Sequence, residues 1–565
     1  MIFTRSLPGN RSATERPAYS RGQDSAHMTS STIPRQNSFP WTFSYRWSRT
    51  ARFQLFGLFL LVLGVRIIAF SFSQNFAYDA VDRIALAQRW LEHPFFITDA
   101  WLPQQHTIMP IYLIGIAMGL WKDPFITPRA VSLVLGSLSA VPFFLLVRIL
   151  FDRTTAVYST LLFAVFTLHV QCSVVASSEA PFIFFMLFCL YFLFRFKETE
   201  KIRTLISSAL FLNAACMTRY TGWIYIPLLC CLVPRNMDDL KQAVLLRSKT
   251  TGYLFLFGLL SSAFPLFWMI GNYSTFGDPL YPIHITTNYT LNLIKYTFIN
   301  IDPLMKAMGY QLYYLAYWPG VIFLSMTPVI ALFAFFGMAY SIYRRQHLSL
   351  IILFAGVYLY FVYKIMTKTF ILLPRFTLDS TILILPFAVV GINKFLSCFD
   401  RKRKRMITGL ISVSVIASVS AIVWLSETDA SPLGSMLSKV SPLSRLSGFQ
   451  EDIISFLNVH TTAQDKVILD HDKYWAEKEI MFYSHLQAGQ FVANLEDLRS
   501  EEKFLKIIDH ERPKYLIYNH EGFLPAILNG SRKDQVGQSH GLRFQPVYTA
   551  NPYLIYRIEY GGSDQ

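Results

Sequence analysis

Twelve apolar runs dominate this 565-residue chain between residues 53 and 425. They lie near 53–72, 108–121, 130–151, 156–176, 179–196, 204–218, 222–234, 252–271, 318–342, 349–366, 378–397 and 406–425. A run of about 20 apolar residues matches the roughly 30 Å hydrocarbon core of a bilayer, where only helices or closed barrels satisfy every backbone polar group. The chain therefore reads as an α-helical polytopic membrane protein. Composition agrees: 53% of residues are hydrophobic and only 15% are charged. The 49 Phe and 30 Tyr suit a chain with many crossings of the membrane–water interface.

The formal charge of +15 does not point to nucleic acid, because much of it sits in short connectors such as Tyr343-Arg344-Arg345 and Arg401-Lys402-Arg403-Lys404-Arg405. That distribution orients a multispanning chain; it makes no continuous basic groove. Arg46, Arg49 and Arg52 before the first run place the amino terminus in the cytoplasm. If all twelve runs crossed, both basic connectors would fall outside. Removing the run at 108–121 returns them inside. Its 14 residues reach only about 21 Å as a helix, and it contains Pro110 and ends at Trp121-Lys122. The expectation is about eleven spans, with 108–121 a juxtamembrane helix of the first external loop, 73–129.

Residues 1–50, rich in Ser, Arg, Thr and Pro, read as a disordered cytoplasmic segment. Residues 51–426 form the transmembrane domain. From 427 to 565 the composition turns soluble. The amphipathic stretch Phe449–Val459, the strand-like Lys466–Asp470, the polar helix Leu498–His510 and the strand-like Lys514–Tyr518 and Tyr553–Arg557 predict a small extracytoplasmic α/β domain. The six cysteines, Cys172, Cys189, Cys216, Cys230, Cys231 and Cys398, give no disulfide framework.

Just past the first run stands Tyr78-Asp79-Ala80-Val81-Asp82-Arg83. An ionised carboxylate where the chain leaves lipid is costly unless paired or facing water, so Asp79 and Asp82 are candidate catalytic acids. Under the same parity Glu179 in Ser177-Ser178-Glu179, Arg219 in Arg219-Tyr220-Thr221-Gly222, and Lys364, Lys368 and Arg375 share their side of the membrane. The plain alternatives are an i,i+4 surface pair for Asp79 and Arg83, a helix-start acid for Glu179, and a snorkelling Arg219. Asp278 reads as a turn residue, and His106 and His284 as isolated histidines.

The order of these signatures is distinctive: Asp79 after the first span, Trp101-Leu102-Pro103, Arg129, Arg148-Ile149-Leu150-Phe151, Ser178-Glu179, Thr218–Trp223, Phe276–Tyr281 and Pro374-Arg375-Phe376. It resembles the GT-C membrane glycosyltransferases, in particular those similar to protein O-mannosyltransferases and the aminoarabinose transferase of lipid A, over roughly residues 50–400. The resemblance implies transfer of a sugar from a polyprenyl-phosphate donor, on the extracytoplasmic side of the membrane, to a protein, lipid or glycan acceptor. It implies that an acid of the first external loop acts at the reacting centre, where Asp79 stands. The family pattern there is Asp-Glu; this chain has Asp79-Ala80 with a second acid at Asp82, so the choice between them stays open.

The chemistry asks for a carboxylate to accept the acceptor's proton, cations for the departing lipid phosphate, and a lipid-accessible cleft. Asp79, Asp82 and Glu179 answer the first need; Arg219, Arg375 and Lys368 answer the second. Displacement without an enzyme nucleophile would invert the anomeric centre. No spacing specifies a metal site, so dependence on a divalent metal is open and no cofactor is assigned. A transporter or flippase of lipid-linked sugars is the alternative; it predicts matching repeats and charges near the midplane, which the chain does not display.

Overall fold

The computed structural model describes residues 49–560 except 75–78, 98–105, 235–237, 240, 242–248, 294–309, 368, 371, 429–436, 471–475, 493–500, 520–536, 540–541 and 552. The expectation for residues 1–48 and the Trp101-Leu102-Pro103 signature lie outside the described residues. Among the described residues, six helical segments are long and apolar enough to cross a membrane. They are Arg49–Ser71 (α1), Thr127–Leu150, Glu179–Thr199, Leu348–Met366, Pro374–Leu396 and Arg401–Ser426.

Three further apolar runs are broken helix pairs, which bring the number to nine if each pair is one span. Arg153–Ala164 bends by 58° into Thr167–Val174, Lys249–Ser261 by 43° into Ala263–Phe276, and Leu315–Ser325 by 108° into Pro328–Tyr343. The sharpest bend has a local cause. Thr327 holds φ at 67° and the following Pro328 starts the next helix. A residue before proline is pushed out of the α region, and a β-branched residue at positive φ cannot continue a helix. The remaining expected spans, 204–218 and 222–234, are the shorter helices Ile202–Thr218 and Thr221–Cys230.

The run at 108–121 forms Ile108–Leu120 (α3), too short for a straight crossing. It packs against the amphipathic Ala80–Glu92 (α2) through Ala80, Ile84, Ala87, Ile111, Ile114 and Met118. At the centre of the bundle, Pro374–Leu396 and Glu179–Thr199 are 78% and 67% buried, whereas Arg401–Ser426 is only 6% buried at its rim. Thus the two innermost spans are those whose starts carry Arg375 and Glu179.

The C-terminal part is a five-stranded sheet in the order β1-β2-β5-β4-β3. The strands are Val467–Leu469 (β1), Tyr515–Asn519 (β2), Gly537–Ser539 (β3), Leu542–Ala550 (β4) and Tyr553–Tyr560 (β5). β1 and β2 run parallel, and the other pairings are antiparallel. The helices Gly448–His460, Ala476–Tyr483 and Glu501–Glu511 accompany it. Three of these elements, β3, β4 and Ala476–Tyr483, exceed the sequence reading. β4 carries Pro546, which argues against a strand, yet the pairing is irregular between Pro546 and Tyr548, where a proline is tolerated. Ala476–Tyr483 is one short polar turn pair, without a periodicity long enough to read.

Candidate active site

Asp79 immediately precedes α2, but its side chain makes no capping bond to the helix it starts. It turns instead to two arginines. Arg83 Nη2 donates to Asp79 Oδ2 at 3.1 Å, and Arg375 Nη2 donates to the same oxygen at 2.7 Å. The i,i+4 pair expected on the helix surface is therefore present but not superficial: the Arg83 side chain is 3% exposed. Arg83 also donates to the Ala176 carbonyl at 3.0 Å and to Ser178 Oγ at 3.3 Å.

Arg375 comes from the short 3₁₀ turn Pro374–Thr377 that leads into the most buried span. Its Nε lies 3.5 Å from Glu179 Oε1. Arg219, the residue that ends Ile202–Thr218, donates Nη1 to that same Glu179 oxygen and to Ser178 Oγ at 3.1 Å. Its Nε reaches Thr221 Oγ1 at 3.4 Å. The Phe376 ring faces both guanidiniums, with Arg219 Cζ at 5.3 Å and Arg375 Cζ at 5.4 Å from its centroid. The result is one continuous chain of ion pairs, Arg83–Asp79–Arg375–Glu179–Arg219.

Backbone carbonyls near this network are themselves held by arginine. Arg129 donates to the carbonyls of Val174 at 2.8 Å, Phe70 at 2.8 Å and Ser73 at 2.6 Å. This ties the end of α1 to the segment that leads into Ser178 and Glu179. Guanidinium donors are suited to such a role, since their five N–H groups fan out in one plane.

The two acids of the network differ in access. The Glu179 side chain is 1% exposed, whereas that of Asp79 is 27% exposed. Burial would raise the Asp79 carboxyl, but the Arg375 and Arg83 guanidiniums outweigh it and hold it well below the usual carboxylate range. Asp82, three residues on, belongs to a different set of charges. Lys478 Nζ donates to its Oδ2 at 2.6 Å, and His106 Nε2 lies 3.9 Å from the same oxygen. Burial raises this carboxyl as well, but His106 and Lys478 bring it below its ordinary value.

The structure thus brings Asp79, Glu179, Arg219 and Arg375 together and turns Asp82 toward Lys478. Lys368 lies outside the described residues. Asp278 accepts from the Leu280 amide at 2.9 Å, as a turn residue, and pairs with His284 at 2.6 Å. Two neighbours escaped the sequence reading. Lys478 belongs to the polar C-terminal part, where one charge resembles any other. Asp379, 1% exposed, lies in the first turn of Leu378–Leu396 beside Thr221 and Arg219, and among the described residues neither of its oxygens receives a hydrogen bond of good geometry. Its position one helical turn past Arg375, at the mouth of an apolar run, was the available signal. Among the described residues no three His, Cys, Asp or Glu side chains gather as a metal site, and Asp79 and Glu179 are both engaged with arginine.

Residues 105–268 match the family model of dolichyl-phosphate-mannose-protein mannosyltransferases. Among solved structures, ArnT from Cupriavidus metallidurans bound to undecaprenyl phosphate aligns with a TM-score of 0.54 at 11% identity, over 91% of this chain and 99% of that one. Its apo state aligns at 0.50, with 11% identity over 90% and 98%. The archaeal oligosaccharyltransferase AglB from Archaeoglobus fulgidus, in complex with an inhibitory peptide and a dolichol-phosphate, aligns at 0.49 with 12% identity over 83% and 69%. No curated protein sequence matches. Residues 105–268 are thus similar to the dolichyl-phosphate-mannose-protein mannosyltransferase family, and the chain shares its fold with ArnT along nearly its whole length.

Proposed function

We propose that the protein is a multi-pass membrane glycosyltransferase that moves a sugar from a polyprenyl-phosphate carrier to an acceptor on the extracytoplasmic side. The observation that carries this reading is the 2.7 Å contact between Asp79 and Arg375. It joins a partly exposed carboxylate to a guanidinium in a network that continues to Glu179 and Arg219. A candidate base and a candidate phosphate-binding cation thus stand side by side.

In the proposed reaction Asp79 takes the proton of the acceptor's nucleophile. The acceptor atom bonds to the anomeric carbon as the bond from that carbon to the phosphate oxygen breaks, and the electron pair leaves with the lipid phosphate. Arg375 and Arg219 neutralise the departing phosphate, and entry of the acceptor on the face opposite that phosphate inverts the anomeric centre. The resting pairs give this sequence a natural order. An arriving phosphate draws Arg375 toward itself, and Asp79 then loses its closest cation and becomes the stronger base. Glu179, buried between Arg219 and Arg375, holds both guanidiniums in register.

The test is transfer by the purified protein from a polyprenyl-phosphate sugar, with the product's anomeric configuration read by NMR. Mass spectrometry of glycans and lipids from cells with and without the gene identifies the sugar and acceptor. Arg375→Ala is expected to weaken donor binding by about 1.5–3 kcal/mol, the worth of a charge-assisted hydrogen bond, or roughly ten- to a hundredfold in donor KM. Unchanged donor KM removes Arg375 from the phosphate site. Because the base must be ionised and its folded pKa is depressed, kcat/KM is expected to hold on the acid side from pH 8 to about pH 5. An acid limb near pH 6.5, the ordinary range of a histidine, would mean that a group other than the depressed Asp79 carboxylate takes the proton.

A further inference from the structure

The C-terminal part of the chain grips the Asp79-bearing segment on both sides. On the near side, the segment after the last span lies along the end of α1. The Gln74 amide donates to the Ser444 carbonyl at 2.6 Å, the Ser444 amide to Ser73 Oγ at 3.1 Å, and the Leu446 amide to Gln74 Oε1 at 2.7 Å. Arg445 Nε adds a bond to the Phe72 carbonyl at 3.0 Å. On the far side stands the helix Ala476–Tyr483. Its Lys478 pairs with Asp82, its Phe482 packs on the α2–α3 cluster, and Phe482 and Tyr483 lie 4.9 Å and 5.7 Å from Phe125, ring centre to ring centre.

That helix is anchored to the sheet. Ile480 is fully buried in the core formed by Ile453, Leu457, Val467 and Ile517. A continuous line of packing therefore runs from β1 and β2 through Ile480 to Lys478 and Phe482, and onward to α2. Asp82 sits in the first turn of α2 and Asp79 immediately before it. Any rotation of that turn moves the Asp79 carboxylate off Arg375. Groups that act on a reacting atom lose rate steeply with small misplacement.

We propose that the C-terminal α/β domain is a positioning element of the active site, and that Lys478 and Phe482 hold α2 so that Asp79, not Asp82, is presented to the sugar. Asp82 is then a docking post and Lys478 a positioning residue. The kinetic consequences rest on the glycosyltransferase reading above; the structural ones do not.

The experiment uses the full chain in detergent or nanodiscs and has two arms. In the first, hydrogen exchange is followed in the peptide covering residues 80–92. Lys478→Glu and, separately, Phe482→Ala are expected to speed exchange there while residues 179–199 keep their protection. Should Lys478→Glu fail to fold, Phe482→Ala carries the same expectation without a buried charge clash. In the second arm, Lys478→Glu is expected to lower kcat about ten- to a hundredfold with little change in donor KM. Lys478→Arg, and the swapped pair Asp82→Lys with Lys478→Glu, are expected to restore most of it. A role in stability alone would lower the folded fraction and leave the kcat of the folded Lys478→Glu enzyme unchanged. Unchanged exchange in 80–92 in both variants, or an Lys478→Glu enzyme as fast as wild type, overturns the proposal. A wild-type protein without transferase activity would instead overturn the function reading, leaving the exchange arm to decide this one.

Discussion

Asp79→Asn is expected to abolish sugar transfer, lowering kcat by about 10²–10⁴-fold, the usual worth of a positioned general base. The substitution keeps the size of the side chain and an oxygen that can accept from Arg375, but it cannot take a proton. Folding should survive, because each arginine keeps another partner. Arg83 retains the Ala176 carbonyl and Ser178, and Arg375 retains Glu179. Donor binding should hold or tighten, since Arg375 no longer divides itself between a carboxylate and the incoming phosphate. Single-turnover transfer, with donor affinity and thermal melting measured on the same preparation, separates these effects. Asp82→Asn is expected to act more mildly, through loss of the Lys478 contact. If Asp79→Asn stays within about threefold of wild type while Asp82→Asn loses transfer, the base has been assigned to the wrong acid.

The spans were legible because lipid leaves a chain few options. A stretch such as 179–196 must be a helix, and Pro110 with Lys122 marks 108–121 as too short and too polar-ended to cross. What the pattern hides is breakage inside a run. Hydropathy is continuous through 318–342, yet Thr327 and Pro328 turn the helix by 108°. That the site residues share one end of the bundle was readable from charge parity, since Asp79, Glu179, Arg219 and Arg375 all sit at or near the ends of apolar runs. Their partners were not. Asp79 and Arg83 have the spacing of an ordinary helix-surface pair, and only the fold brings Arg375, 296 positions away, to the same oxygen. Lys478 is less legible still, because its meaning comes from a helix docked by Phe482 and Ile480 onto a distant loop.

A close helix contact in the bundle sets up the other large effect. Pro328–Tyr343 and Leu378–Leu396 approach backbone to backbone at two glycines. A Cβ added at Gly337 would stand 1.9 Å from the Phe387 carbonyl oxygen, and one at Gly391 would stand 2.2 Å from that of Phe333. Carbonyl oxygens of packed helices cannot swing aside as a side chain can, so the helices must separate. Between membrane helices such close packing is a main source of association. Gly337→Val is therefore expected to destabilise the protein by roughly 3 kcal/mol, the upper range for overpacking, and to lower both the yield of folded protein and its melting midpoint in detergent. Gly57→Val, on the exposed face of α1 with no atom within 4 Å of the new Cβ, is the matched control and should melt like wild type. The consequence extends to the site, because Leu378–Leu396 follows directly on the turn that carries Arg375. Pushing that helix away draws Arg375 off Asp79 and Glu179, so the folded fraction of Gly391→Val should also bind donor more weakly. A Gly337→Val protein that melts with wild type would mean the two helices stand further apart than their carbonyls indicate, and Arg375 would then need another anchor.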